Sequence, residues 1–282
     1  MSTGPGLIAL LGARSPVGDA VVRELSASVQ FLRFSRRAQE SDGHGDWRVL
    51  GRDDVGTVET VISLMPVWAL AEHHTQLEAM GCRRLVALSS TSRFTKQDSV
   101  RPADRELAER LRRGEDETVA WARRAGAEVV VLRPTMIYGH DGDGNVSTMR
   151  RVLRRFRMFP VVGTASGLRQ PVHLADVAWA AACIATGTSG QAHAQAYTIS
   201  GAEVLSYREM VDRVRATVAG PTIVLRVPPA LFRLAERCAP WSRTAHTAAG
   251  MAERMSSDMV FDHRAAAEAF GYSPRPFDPS DA

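Results

Sequence analysis

Between Leu7 and Arg133 the chain alternates short apolar runs with longer amphipathic ones, and that rhythm limits the fold more than any other feature of the sequence. Leu7–Leu11, Val29–Phe34, Thr60–Met65, Arg84–Ser89 and Glu128–Arg133 read as strands, each a brief and nearly continuous apolar run of the kind buried on both faces of a sheet. Between them, Val17–Ser28, Val67–Met80 and Asp104–Arg124 have helical periodicity with opposite charges about one turn apart. Strands separated by helices pair in parallel through right-handed crossovers, so the expected class is α/β, a doubly wound parallel sheet with helices on both faces.

After Gly139 the rhythm changes. A glycine-rich acidic loop, HDGDGN at 140–145, leads into a basic helix, and a strand-like Ala196–Ser200 precedes further helical segments. The expected organisation is a first domain over 1–139 and a smaller C-terminal lobe over 140–282, with part of 170–201 returning one strand to the sheet. A chain of 282 residues with 45% hydrophobic content can bury a core of that size. No apolar stretch approaches the ~20 residues that cross a bilayer, and LIALL lacks the basic flank and cleavage site of a signal peptide, so the expected location is the cytoplasm. Cys82, Cys183 and Cys238 are too far apart for a CxxC metal or redox motif and read as buried thiols.

The net charge of +4 does not mark a nucleic-acid surface. Lys96 is the single lysine; arginines make up the other basic residues and are mixed with 31 acids along the whole chain, with no helix-turn-helix, zinc-finger or aromatic RNA-binding pattern. Nucleic acid is therefore not an expected partner. Metal is not expected either. Asp141, Asp143 and Asn145 imitate a calcium loop, but Val146 stands where the glycine belongs and Val152 where the closing glutamate belongs. His73 and His74 are adjacent and diverge from a helix.

LIALLGARSPVG runs from a strand through a turn into a helix, the context in which a glycine loop holds a pyrophosphate on helix-terminal amides. The stretch expected to do so here is Gly12, Ala13, Arg14, Ser15, Pro16, Val17 and Gly18, the opening of a Rossmann domain. Ser15 occupies the place of a middle glycine, and Pro16 suits the first turn of a helix. An acid after the second strand would bind the ribose of NAD; this chain has Ser35, Arg36 and Arg37, placed for the 2′-phosphate of NADP, so NADP is expected ahead of NAD.

With these motifs the chain resembles the short-chain dehydrogenase/reductase superfamily, in its extended and atypical branch that includes NAD-dependent epimerase/dehydratase proteins. The resemblance runs through GARSPVG, SLMP (63–66), GCRRLVALSS (81–90), VVVLRPTMIYG (129–139), LRQPVHLADVAWA (168–180) and FDHRAAAEAFGYSPRPF (261–277). It implies that Leu64, Met65, Pro66, Ser89, Pro134, Thr135 and Met136 join the cofactor site. It further implies that the second half closes over a small, anionic or nucleotide-linked substrate, with Asn145, Arg169 and His173 on the substrate side. His173 also reads as orienting the chain entering a helix capped by Asp176.

In that branch the strand that corresponds to Arg84–Ser89 delivers a serine or threonine hydroxyl that polarises a carbonyl, and a downstream Tyr-x-x-x-Lys on the next helix completes the site. Here LVALSSTSRFTK supplies the hydroxyls: Thr91 matches by register, with Ser90 as the alternative and Ser92 nearby. The tyrosine and lysine are missing. None of Tyr138, Tyr197, Tyr207 and Tyr272 precedes a lysine by four, and the estimated register puts Glu109 and Arg113 in their places, which read as a surface ion pair. Lys96, five residues past Thr91, is the expected substitute. The resulting expectation is an NADP-dependent oxidoreductase or epimerase acting by hydride transfer; the alternative is a non-catalytic NADP(H)-binding sensor or assembly factor. The basic helix MRRVLRRFRMF (149–159) also suits an anionic ligand or a membrane surface.

Overall fold

The structure, a computed structural model, describes residues 6–25, 27, 29–35, 39, 46–51, 56–187, 196–230 and 255–281. The chain divides into two compact units: Met1–Pro134 with Leu174–Ile199 and Asp262–Ser273, and Thr135–His173 with Ser200–Phe261 and Pro274–Ala282.

The first unit is built on a seven-stranded parallel sheet. Its strands are β1 (Leu7–Leu11), β2 (Gln30–Ser35), β3 (Asp46–Val49), β4 (Thr60–Ser63), β5 (Arg84–Leu88), β6 (Glu128–Pro134) and β11 (Ala196–Ile199). They lie in the order β11-β6-β5-β4-β1-β2-β3, so the direction of winding reverses between β1 and β4. This is the doubly wound Rossmann-type α/β sheet that the alternation predicts. β3 is the strand that periodicity misses: DWRV has no apolar run because it sits half-exposed at the sheet edge, where its Trp47 ring lies 4.3 Å beneath the guanidinium of the buried Arg33.

The helices follow from one-sided apolar stripes. Helix α1 (Pro16–Leu25) buries Val17, Ala20, Val21 and Leu25. Its neighbour α7 (Leu174–Ala185) is alanine-rich, and small side chains let the two helices pack closely. The helix expected over 67–80 is interrupted: α2 (Val67–Leu70) and α3 (His74–Ala79) are separated by a 3-10 turn at Ala71–His73. Helix α5 (Pro102–Ala125) begins with proline in its first turn and ends on left-handed Gly126. Midway along it, Gly114 faces the backbone of Trp68, which a Cβ would approach to 2.6 Å, so α5 packs directly against α2.

The second unit has its own core, formed by Tyr138, Met149, Leu153, Phe159, Met210, Val214 and Phe277 among others. It contains the two-stranded pairs β7 (Ile137–Tyr138) with β10 (Val172–His173), β9 (Leu168–Arg169) with β12 (Leu205–Ser206), and β8 (Met158–Val162) with β13 (Ile223–Val227). Helices α6 (Val146–Phe156) and α8 (Tyr207–Ala216) pack on them. Among the described residues no helix is long and apolar enough to cross a membrane, and no acid, histidine and cysteine cluster could hold a metal ion.

The split between α2 and α3 places the His74 ring on Trp121, stacked at 5.0 Å, with its Nε2 buried and without a hydrogen-bond partner among the described residues. Burial, seconded by the positive charge of Arg124, holds this imidazole below its ordinary 6.5. Below pH 6.5 the unfolded chain therefore binds a proton that the folded chain resists, and stability falls as the pH drops from 6.5 toward the folded value. Urea midpoints measured through this window should decline for the native chain and decline less for His74→Phe, which keeps the stack but cannot ionise. Equal slopes in the two proteins would remove the assignment.

Candidate active site

The turn after β1 is shaped by two close backbone approaches. Gly12 adopts φ 72°, and a Cβ there would meet the backbone of Leu64 and Met65 at 3.1 Å, where the chain leaves β4. A side chain at Gly18 would lie 2.4 Å from the carbonyl oxygen of Ala13. Gly12 is thus required by the neighbouring strand end as well as by any ligand, an added constraint beyond the expected one. Ser15 caps α1: its Oγ accepts from the Gly18 amide at 3.1 Å, while its own amide donates to the Gly12 carbonyl. The amides of Ala13, Arg14 and Val17 have no acceptor among the described residues. Three N–H groups without acceptors among the described residues at the start of a ten-residue helix form an anion cradle. Leu64, Met65 and Pro66 follow β4 alongside; Ser35 ends β2 in a buried position, and Arg36 and Arg37 lie outside the described residues.

At the end of β5 three consecutive hydroxyls have different partners. Ser89 donates to Glu115 Oε1 at 2.5 Å. Thr91 is buried, and both its amide and its Oγ1 donate to the Pro134 carbonyl, at 3.0 and 3.1 Å. Ser90 differs: its Oγ accepts from the Ser92 amide at 3.1 Å, and its proton has no acceptor among the described residues. Lys96 ends the short helix α4 (Ser92–Thr95), and its ammonium pairs with Asp104 at 2.9 Å. Glu109 and Arg113 are both exposed on α5, where Glu109 pairs with Arg112 at 2.7 Å and with Arg113 at 3.6 Å.

The residue that sequence reasoning misses is Glu115. It is 2% exposed, and its carboxylate takes hydrogen bonds from Ser89, from Arg93 of α4 and from Arg133 of β6, whose Nη2 lies at 2.6 Å. Phe94 lies against both guanidinium groups, 5.7 Å from Arg93 and 5.3 Å from Arg133. Glu115, Arg93 and Arg133, with Asp116 and Ala196, line a cavity of about 380 Å³. The usable signal was position: Glu115 falls on the buried stripe of α5 with Ala108, Leu111 and Thr118, where an acid demands a partner.

The remaining expected residues belong to the second unit, except Pro134, which ends β6. Thr135 donates through Oγ1 to the Gln170 carbonyl at 2.5 Å, and the Met136 carbonyl accepts from the Val172 amide. Asn145 is exposed at the start of α6. Arg169 is buried and donates to the carbonyls of Leu168 and Ser257, each at 2.7 Å. His173 packs edge-on to Tyr138 at 5.1 Å, so close to Gly139 that a Cβ there would lie 2.4 Å from its Nε2. No tyrosine lies on α5; Tyr138 is fixed by the Pro276 carbonyl and the Asp278 amide.

No protein-family model matches the chain, and no curated protein matches it. Solved structures do match. MoeE5, in complex with UDP-glucose and NAD, aligns with a TM-score of 0.72 at 19% identity over 98% of this chain and 96% of that one. The UDP-N-acetylglucosamine 4-epimerase from Bacillus cereus gives 0.71 at 13% identity over 98% and 93%. TunA, an NAD-dependent NDP-hexosamine 5,6-dehydratase involved in tunicamycin biosynthesis, gives 0.70 at 15% identity over 98% and 95%. The chain shares the fold of these structures, the doubly wound Rossmann-type α/β fold anticipated from its motifs.

Removing one member of a buried ion pair strands its partners and costs about 3 kcal/mol or more. Glu115→Gln should therefore lower the unfolding free energy by about 3 kcal/mol, since Arg93 and Arg133 keep some contact with water. A loss below about 0.5 kcal/mol in urea titration would show that the cluster contributes no more than a surface pair.

Proposed function

We propose that the chain is an oxidoreductase or epimerase of the extended short-chain dehydrogenase/reductase type, acting by hydride transfer on a carbonyl or alcohol of a nucleotide-linked sugar. The observation that carries this reading is the anion cradle at the start of α1, three unpaired amides beside Gly12 and Gly18, which suits a dinucleotide pyrophosphate. The substrate class follows the neighbours, whose names specify UDP- and NDP-sugars. A cytoplasmic location goes with it.

A bound nicotinamide supplies the hydride chemistry; the chain supplies binding, orientation and a proton donor. Of the two hydroxyls expected to polarise a carbonyl, Ser90 is the better placed, because its proton is uncommitted whereas that of Thr91 goes to Pro134. Lys96 is the second candidate, and reaching a substrate requires it to leave Asp104. Asn145, Arg169 and His173 are the proposed substrate-side residues. For the cofactor, the Ser35-Arg36-Arg37 sequence favours NADP, against the NAD named for the neighbours.

A second reading has one specific observation in its favour: the absence of a tyrosine from α5 suits an NADP(H)-binding protein without turnover. Assays with UDP-glucose and UDP-N-acetylglucosamine separate the two. An enzyme should show turnover that Ser90→Ala lowers by ~10²-fold with cofactor affinity unchanged, and Lys96→Met reports the share carried by the lysine. Binding of the dinucleotide with no turnover on any nucleotide sugar would favour the second reading. Calorimetric titration with NADPH and NADH decides the cofactor, and equal affinities would remove the role given to Arg36 and Arg37.

A further inference from the structure

The second unit carries an array of charge that the reading above does not use. Arg150, Arg151, Arg154 and Arg155 occupy one stripe of α6 and, with Ser147 and Asp141, line a cavity of about 390 Å³. The helix VSTMRRVLRRF contains no acid, and none of the four arginines forms an ion pair among the described residues. Arginines on other helix faces include matched ones: Arg112 pairs with Glu109 and Asp116, and Arg208 with Asp212. Like charges one turn apart destabilise a helix, so an unmatched stripe of four implies a compensating anion.

Two buried groups point the same way. Ser147 and Arg150 are 6% and 7% exposed, and the Ser147 hydroxyl and the Arg150 Nε have no hydrogen-bond partner among the described residues. The other end of the Arg150 guanidinium is held, through a bond from Nη2 to the Pro279 carbonyl. The helix N-terminus itself is occupied: Asp143 Oδ1 accepts from the amides of Ser147 at 2.8 Å and Asn145 at 3.0 Å. The vacant capacity therefore lies along the arginine stripe and not at the helix end. Asp141 adds one carboxylate to the wall, against four guanidinium groups, and its contact with Arg151 is through its backbone carbonyl at 3.4 Å.

We infer that this cavity is a binding site for a phosphate group, held by the forked donors of the arginines and by the Ser147 hydroxyl. Planar guanidinium groups and a buried hydroxyl suit the several acceptor oxygens of a phosphate monoester or diphosphate. The inference does not depend on the dinucleotide reading. Two sources of that group fit the surroundings. A soluble phosphate ester needs only the cavity. An anionic lipid headgroup would also use the apolar surface that continues from it. Arg155 lies 5.7 Å from the ring of Phe156, which is 63% exposed, and Met158, Ile223 and Leu225 are exposed on the paired strands β8 and β13, where Ile223 is in register with Met158.

The test compares the full chain with the double variant Arg154→Ser/Arg155→Ser, which alters exposed side chains, and with Ser147→Ala, which leaves net charge unchanged. One arm titrates inorganic pyrophosphate calorimetrically at low ionic strength. The other measures cosedimentation with phosphatidylcholine vesicles with and without phosphatidic acid. Any pyrophosphate held at the α1 cradle is common to all three proteins and cancels in the comparison. Affinity in one arm should fall by about tenfold or more in the double variant and measurably in Ser147→Ala. Loss in the pyrophosphate arm identifies a soluble phosphate, and loss confined to phosphatidic-acid vesicles identifies a lipid headgroup. The inference is overturned if all three proteins behave alike in both arms, or if Ser147→Ala binds as tightly as the native chain, because binding would then be general attraction to a basic surface.

Discussion

The buried carboxylate of Glu115 ties together the part of the sheet where the candidate chemistry lies. Three elements that are far apart in the chain meet on it: the end of β5 through Ser89, α4 through Arg93 and β6 through Arg133. An isolated polar group buried in this position would be costly. With two guanidinium groups and a hydroxyl around it, the charge is instead a fixed point that sets the spacing of the strand ends. Gly114, the residue before it, allows α5 to lie against α2, which brings Glu115 within reach of all three.

One consequence concerns the hydroxyl segment. Ser89 and Thr91 are both immobilised, the first on Glu115 and the second on the Pro134 carbonyl, and they hold the residue between them in a fixed backbone frame. Ser90 is thereby presented with its proton unassigned. A proton donor is more useful when it is prepositioned and not already engaged. The same framing bears on the missing tyrosine: α5 is present at full length and closely packed, but its buried stripe carries Glu115 and Thr118 and no phenol. The helix is held in place by a paired buried carboxylate, and the polar residues it buries are not phenols.

The second unit shows the opposite treatment of charge. On α6 four arginines have no ion pair among the described residues and lie beside a buried hydroxyl, while Arg213 in the same unit is paired with Glu203 and Glu209. In a chain so rich in arginine, it is pairing and not abundance that separates a structural guanidinium from one available to a ligand.

The sequence by itself determined the sheet. Continuous apolar runs can be buried only as central strands, and the helices between them allow only parallel crossovers, so β1, β2, β4, β5 and β6 were legible to within a residue or two, whereas the pairing of Ala196–Ile199 with β6 was not. The glycine turn was legible because positive φ and close backbone approach leave a residue-specific mark, although the approach of Leu64 to Gly12 was not. β3 was not legible, because an edge strand needs no apolar run. Tertiary structure alone decided which hydroxyl of the Ser89–Thr91 run has no acceptor for its O–H among the described residues, and that Glu115, instead of the exposed Glu109, is the buried acid of α5. The reason is physical. Backbone conformation and burial leave periodic traces in one dimension, whereas the partner of a polar atom depends on residues 18 to 43 positions away that only the folded chain brings within 3 Å or so.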